Sequence, residues 1–140
     1  MRLEDKVAIV TGAGSMRPGM GNGKATAILF AREGAKVACA DLNLDAAEET
    51  VTMIKSEGGE ATAIQADVTK ESDAKKLVEA TISKYGKLDI LFNNVGGAWG
   101  STGLKVTVEE WDATMDLNLK SVMLVSKYAA PEMIKNGGGT

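Results

Sequence analysis

The chain has 140 residues, 44% of them apolar and 25% charged, with a net charge of -3 at neutral pH. That length gives one domain with a real core, and the slight acidic excess gives no electrostatic reason to expect a nucleic-acid or anionic-membrane partner. Histidine is absent and cysteine occurs once, as Cys39, which excludes a Ser-His-Asp triad, a Cys-His pair, a His-ligated zinc and an internal disulfide. No metal site is expected. No apolar run approaches the roughly 20 residues that span a bilayer, and the N-terminus MRLEDKVAIV lacks a signal peptide's apolar stretch. A cytoplasmic location is the default expectation. Cys39, set in KVACAD, reads as a small core side chain.

Short β-rich runs alternate with longer amphipathic ones. Residues 6–10 predict a first strand, 23–33 a helix closed by Gly34, and 36–40 a second strand. A second helix over 45–57 ends at Gly58-Gly59, and a weaker third strand follows over 61–65. A third helix runs from about Glu71 to Tyr85, closed by Gly86, and residues 88–92 make the fourth strand. From Thr107 a long helical pattern extends to about Lys135, where the glycines at 137–139 stop it. Thr107-x-x-Glu110 has capping-box spacing, each side chain satisfying an orphan backbone N–H. The runs VAIV, KVAC and DILF are continuously apolar, the mark of parallel strands covered on both faces. Regular β-α-β alternation with right-handed crossovers then predicts an α/β fold with a doubly wound parallel sheet. No linker or repeat interrupts residues 1–140, so a single domain is expected.

The turn after the first strand, TGAGSMRPGMGNGKATA, holds five glycines in seventeen residues. In such a fold a dinucleotide's pyrophosphate sits there, because glycine lets the backbone approach and the helix N-terminus presents free N–H groups. A strict GxGxxG is absent, and structural turns use glycine too. Asp41 ends the second strand, 20 residues after Gly21. A carboxylate there accepts hydrogen bonds from the adenosine ribose and repels a 2′-phosphate; the alternative is a helix cap or turn residue. Asp67-Val68 after the third strand and Asn93-Asn94-Val95-Gly96 after the fourth mark the same carboxyl edge.

These motifs, in this order, resemble the N-terminal half of the short-chain dehydrogenase/reductase family, with its TGxxxGxG turn, charged selector, DV pair and NNAG motif. The resemblance covers essentially the whole chain and implies a Rossmann-like fold. It assigns Gly12, Ser15, Gly21, Asn22 and Gly23 to the pyrophosphate turn, Asp41 to the ribose, and Asp67 and Val68 to adenine. It assigns Asn93 and Gly96 to the nucleotide, and Asn118, in MDLNLKS, to the catalytic proton-relay water. The implied cofactor is NAD; NADP is disfavoured by Asp41, although Arg17 and Lys24 bring positive charge to the turn. Relative to the family turn, residues 16–20 (MRPGM) are an insertion. It is read either as a flap over the pyrophosphate or toward the substrate mouth, or as a plain surface bulge.

The family's hydride chemistry needs a Tyr-x-x-x-Lys and a serine, the lysine lowering the phenol's pKa. Here Asp89 lies four residues after Tyr85 and Glu132 four after Tyr128. The sheet is therefore expected to be truncated after its fourth strand and the following helix, with the chain alone inactive. NGGGT leads toward a fifth strand, and LDILF is left as an exposed edge that favours self-association. The complete protein would be an oligomeric oxidoreductase acting on a small alcohol or ketone. A non-catalytic nucleotide-binding module and an inactive truncated product stay open beside that reading. Residues 97–101 border the substrate side, with Trp99 either a pocket wall or a packed loop aromatic.

Overall fold

The computed structural model describes residues 1–98 and 100–140; Trp99 and its expected role lie outside them. Four parallel strands form one sheet in the order β3-β2-β1-β4. They are β1 Val7–Thr11, β2 Lys36–Asp41, β3 Glu60–Gln65 and β4 Ile90–Phe92. The helices are α1 Asn22–Arg32, α2 Leu44–Ser56, α3 Glu71–Tyr85, α4 Val108–Met115 and α5 Ser121–Lys135. This is the expected doubly wound, Rossmann-like α/β arrangement.

The strand side chains alternate between two cores. Ile9 and Ala38 pack with Leu77 and Val78 of α3 and with Leu124 and Val125 of α5. Val10, Val37 and Cys39 face the other way, against Ala27 and Ile28 of α1 and Val51 and Ile54 of α2. Burial of β1 and β2 on both faces explains their continuous apolar sequences. Cys39 is a core residue as expected, and its burial pushes the thiol pKa up to about 12.

Two expectations need correction. The fourth strand is shorter than residues 88–92: Leu88 is fully buried but precedes β4, and all three strand residues are only half-buried. An edge strand has a hydrogen-bonded neighbour on one side and less helix over its faces, so apolar content overstated its cover. On its outer side, Leu91 N–H donates to Thr140 O at 2.8 Å and Thr140 N–H donates to Asp89 O at 3.0 Å. Thr140 therefore stands beside Ile90 in parallel register, which agrees with NGGGT leading into a strand position.

The long helix over 107–135 is likewise interrupted. Between α4 and α5, residues Asp116–Lys120 form a π-helical turn, and a short 3₁₀ turn at Gly103–Lys105 precedes α4. Thr107 caps α4 with the complete reciprocal box: Glu110 N–H donates to Thr107 Oγ1 at 3.1 Å, and Thr107 N–H donates to Glu110 Oε2 at 2.9 Å.

Candidate dinucleotide-binding crevice

The carboxyl ends of β1, β2, β3 and β4 open on one edge of the sheet, and the candidate residues lie along it. Gly12 follows β1 with φ +63°, a left-handed conformation that a β-carbon disfavours. Gly23 lies in the first turn of α1, so close that a β-carbon there would overlap the Gly12 carbonyl. The pair forces the turn tight and brings the α1 N-terminus against the strand. Gly21 is the N-cap residue, no side chain caps α1, and no acidic residue occupies its first turn. The exposed Asn22 opens the helix. The first-turn amides are thus arranged for an anion, with the helix dipole favouring one.

Asp41 leaves β2 next to this turn. Its Oδ2 accepts from Gly14 N–H at 2.9 Å, and its Oδ1 accepts from Asn43 N–H at 3.0 Å. It therefore acts as a turn residue while keeping a half-exposed carboxylate on the crevice; the two readings from sequence are not exclusive. Gly14 is a member that sequence reasoning passed over. A β-carbon at Gly14 would stand 2.6 Å from Ala46 Cβ and 2.9 Å from Asp41 Oδ2. The signal was the second glycine of TGAG.

Beyond β3, Ala66 N–H donates to Asp41 O at 3.0 Å, which seats Asp67 beside the β2 end. Asp67 Oδ1 accepts from Thr69 Oγ1 at 2.6 Å and from Thr69 N–H at 3.1 Å. These bonds, with Lys70 nearby, hold the carboxyl below its usual range, the Thr69 hydroxyl contributing most. Val68 is buried in the core under α3 and α5.

After β4, the two asparagines diverge. Asn93 Nδ2 donates to Ser126 Oγ of α5 at 3.3 Å, turning away from the glycine turn. Asn94 Nδ2 instead donates to Thr11 O and Gly12 O at 3.1 and 3.2 Å. Thr11 Oγ1 in turn accepts from Asn94 N–H at 3.0 Å. Asn94 is thus the residue that fastens the β4 loop to the glycine turn. Successive residues of an extended segment point to opposite sides, so one asparagine alone could do this, and the pair in sequence did not say which.

Gly96 follows, and a β-carbon there would stand 2.7 Å from Asn118 Oδ1. Asn118 sits in the π turn and grips Gly97 from both sides. Its Nδ2 donates to Gly97 O at 2.7 Å and to Thr114 O at 2.8 Å, and its Oδ1 accepts from Gly97 N–H at 3.0 Å. π-helical turns recur at functional sites. Glu110 fixes the next stretch, accepting from Ser101 N–H at 3.0 Å. With the Thr107 and Ser101 amides donating to it, the Glu110 carboxyl is held low.

The insertion over residues 16–20 closes on itself. Ser15 Oγ donates to Gly19 O at 3.1 Å and accepts from Gly21 N–H at 3.1 Å. The loop borders a cleft of about 450 Å³ shared with Lys24 and Glu49, on the α1–α2 side. Neither Gly96 nor Asn118 is among the residues that line this cleft. Both tyrosines lie elsewhere. Tyr128 OH donates to Glu71 Oε1 at 2.7 Å across α5 and α3. Tyr85 OH is buried with no partner among the described residues, and burial pushes its pKa up to about 12.

Among the described residues, no helix is long and apolar enough to cross a membrane, and no cluster has metal-ligand character. Comparison with known proteins agrees with the geometry. The family profile described as short chain dehydrogenase matches residues 6–140. An uncharacterized oxidoreductase of Thermotoga maritima is 45% identical over 139 residues, covering 99% of this chain and 53% of its own length. The 7alpha-hydroxysteroid dehydrogenase of Escherichia coli is 43% identical over 139 residues, with 99% of this chain and 52% of its own covered. A solved 7 alpha-hydroxysteroid dehydrogenase complexed with NADH and 7-oxo glycochenodeoxycholic acid superposes with a TM-score of 0.91 at 43% identity, over 99% and 52% of the two chains. The chain spans about half the length of the curated relatives it matches. With the sheet order, the glycine turn and a profile match over nearly its whole length, the chain belongs to the short-chain dehydrogenase family.

Proposed function

We propose that this chain is the cofactor-binding half of an NAD-dependent oxidoreductase that interconverts a small alcohol and its ketone. The observation that carries the reading is the uncapped N-terminus of α1, pressed against Gly12 by Gly23, with the Asp41 carboxylate one hydrogen bond away at Gly14. Gly12, Ser15, Gly21, Asn22 and Gly23 border the pyrophosphate, Asp41 the adenosine ribose, and Asp67 with Val68 the adenine. Gly96 and the backbone at Asn93 lie toward the nicotinamide end, where Asn118 fixes the loop and stands ready to position a water. The bound nicotinamide would supply the hydride acceptor or donor.

Binding, orientation and exclusion of a 2′-phosphate are what these residues offer. The acid/base work needs a tyrosine with a lysine four residues on, and Tyr85 and Tyr128 both lie off the crevice. In our reading that chemistry, and most substrate contacts, come from further sequence of a longer protein, which also assembles as a homo-oligomer. A non-catalytic nucleotide module is the second reading, favoured by the same placement of the two tyrosines. Isothermal titration with NADH, repeated on Asp41→Asn, tests the binding half of the proposal. Asp41→Asn keeps an acceptor for one amide but loses a charged acceptor for the ribose. Hydrogen bonds to charged groups contribute about 1.5–3 kcal/mol, so binding should weaken about tenfold or more. Equal NADH affinity in both proteins would remove Asp41 from the site. NADH binding without turnover in the longer protein would favour the second reading.

A further inference from the structure

The cleft beneath the insertion contains a buried cation. Lys24, in the first turn of α1, has only 5% of its side chain exposed, and its ammonium bonds Glu49 Oε1 at 2.6 Å. Glu49 is two-thirds exposed. A lysine so enclosed needs a partner, because an isolated buried charge is costly. The placement of Glu49 matters more than its existence. It lies one helical turn after Ala46, the residue packed against Gly14, and Gly14 N–H donates to Asp41. Its neighbour Thr50 donates to Ala13 O at 2.8 Å, tying this turn of α2 to the glycine loop. Ser15 to Gly19 close the remaining side.

We propose that the Lys24–Glu49 pair tunes the choice of cofactor: Glu49 engages the Lys24 ammonium, so Lys24 does not balance a 2′-phosphate that meets Asp41, and Arg17 is the other cation on this cleft. The proposal rests on the dinucleotide reading above and deepens it by naming a second determinant besides Asp41. Charge counting makes it quantitative. Asp41, Glu49 and Lys24 sum to one negative charge, with the Arg17 charge on the same cleft common to every variant. Glu49→Gln brings the sum to zero and leaves an acceptor for Lys24. Lys24→Met makes it two negative charges, with the uncovered Glu49 already solvated. The double variant returns to one. Tolerance of the 2′-phosphate should follow that order.

The experiment is titration of the wild-type chain and the three variants with NADH and NADPH, with a thermal melt of each. Wild type should prefer NADH. Glu49→Gln should narrow the preference by about tenfold, mostly through tighter NADPH binding, since a unit charge several ångströms away in a part-exposed site is of that order. Lys24→Met should widen it, and Lys24→Met/Glu49→Gln should fall back near wild type. A preference unmoved by Glu49→Gln, or a double variant that keeps the full gain, overturns the proposal. If Glu49→Gln loses its cooperative melt, Lys24→Met and the double variant decide: equal preferences in those two overturn it. Wild type that binds neither nucleotide defeats the dinucleotide reading itself, an outcome distinct from NADH binding with an unmoved preference.

Discussion

A β-carbon at Gly23 would meet backbone, the Gly12 carbonyl, and not the yielding end of a side chain. Relief requires moving the α1 N-terminus off the strand, so Gly23→Ala should cost about 1–3 kcal/mol, the usual range for overpacking. Urea unfolding would read this, and an unchanged midpoint would mean that the turn is looser than its geometry. Asp67 makes a prediction in pH. Its folded pKa is lowered from 3.8, first by the Thr69 hydroxyl. Between the folded and unfolded values the unfolded chain binds more protons, so stability rises with pH. The contribution is fully present above the ordinary value of 3.8 and is lost as pH falls through the folded pKa. Asp67→Asn keeps an acceptor for Thr69 but cannot ionise, so it should lose less stability than wild type from pH 5 to pH 3. Equal losses would show Asp67 unperturbed. At this scale the sequence was legible where a residue type is forced. Glycine at 12 and 23 is demanded by positive φ and close approach, and a carboxylate after β2 by the turn it closes. It was not legible where contact depends on direction: the sequence did not tell that Asn93 turns to Ser126 while Asn94 bonds Thr11 and Gly12.

The elements repeat the pattern. Helix α3 has the bounds expected from its sequence, because Gly86 at φ +82° ends it. The capping box at Thr107 was legible for the same reason, being local chemistry. The π turn at Asp116–Lys120 was not, because nothing in MDLNLKS breaks helical periodicity. Its cause is tertiary: Asn118 reaches across to Gly97 while also donating back to Thr114 O. Asn118→Leu keeps volume and removes all three bonds. The expected result is a loosened β4 loop, with the Gly97 amide exchanging about tenfold faster, as loss of about 1.4 kcal/mol of local protection gives. Hydrogen exchange resolved at Gly97 checks it, and unchanged protection would mean that Asn118 follows the loop instead of holding it. The global melt should move little, since Asn118 is exposed and lies outside both cores.

For the whole molecule, two exposed surfaces are candidates for self-association. One is the outer edge of β4, which among the described residues is paired by Thr140 alone. The other is an apolar stripe at four-residue intervals: Trp111, Met115, Leu119 and Met123, each at least 37% exposed. The edge is three residues long and half-buried, and short edge strands are poor templates for pairing. The stripe runs from α4 through the π turn into α5, and contiguous exposed apolar patches of that kind mark interfaces. Burial of apolar area is worth roughly 25 cal/mol per Å², so four large side chains outweigh one or two strand hydrogen bonds that contribute about 1 kcal/mol each. We therefore expect the chain to associate through the stripe with a second copy of itself. Sedimentation velocity across a concentration series should show a reversible dimer or larger species. Leu119→Lys, at an exposed site outside both cores, should shift it toward monomer while leaving the melt of the fold intact. Association that persists in Leu119→Lys but disappears when a proline replaces Leu91 would move the interface to the edge. A monomer at every concentration would leave both surfaces solvated and remove the basis for a self-associating chain.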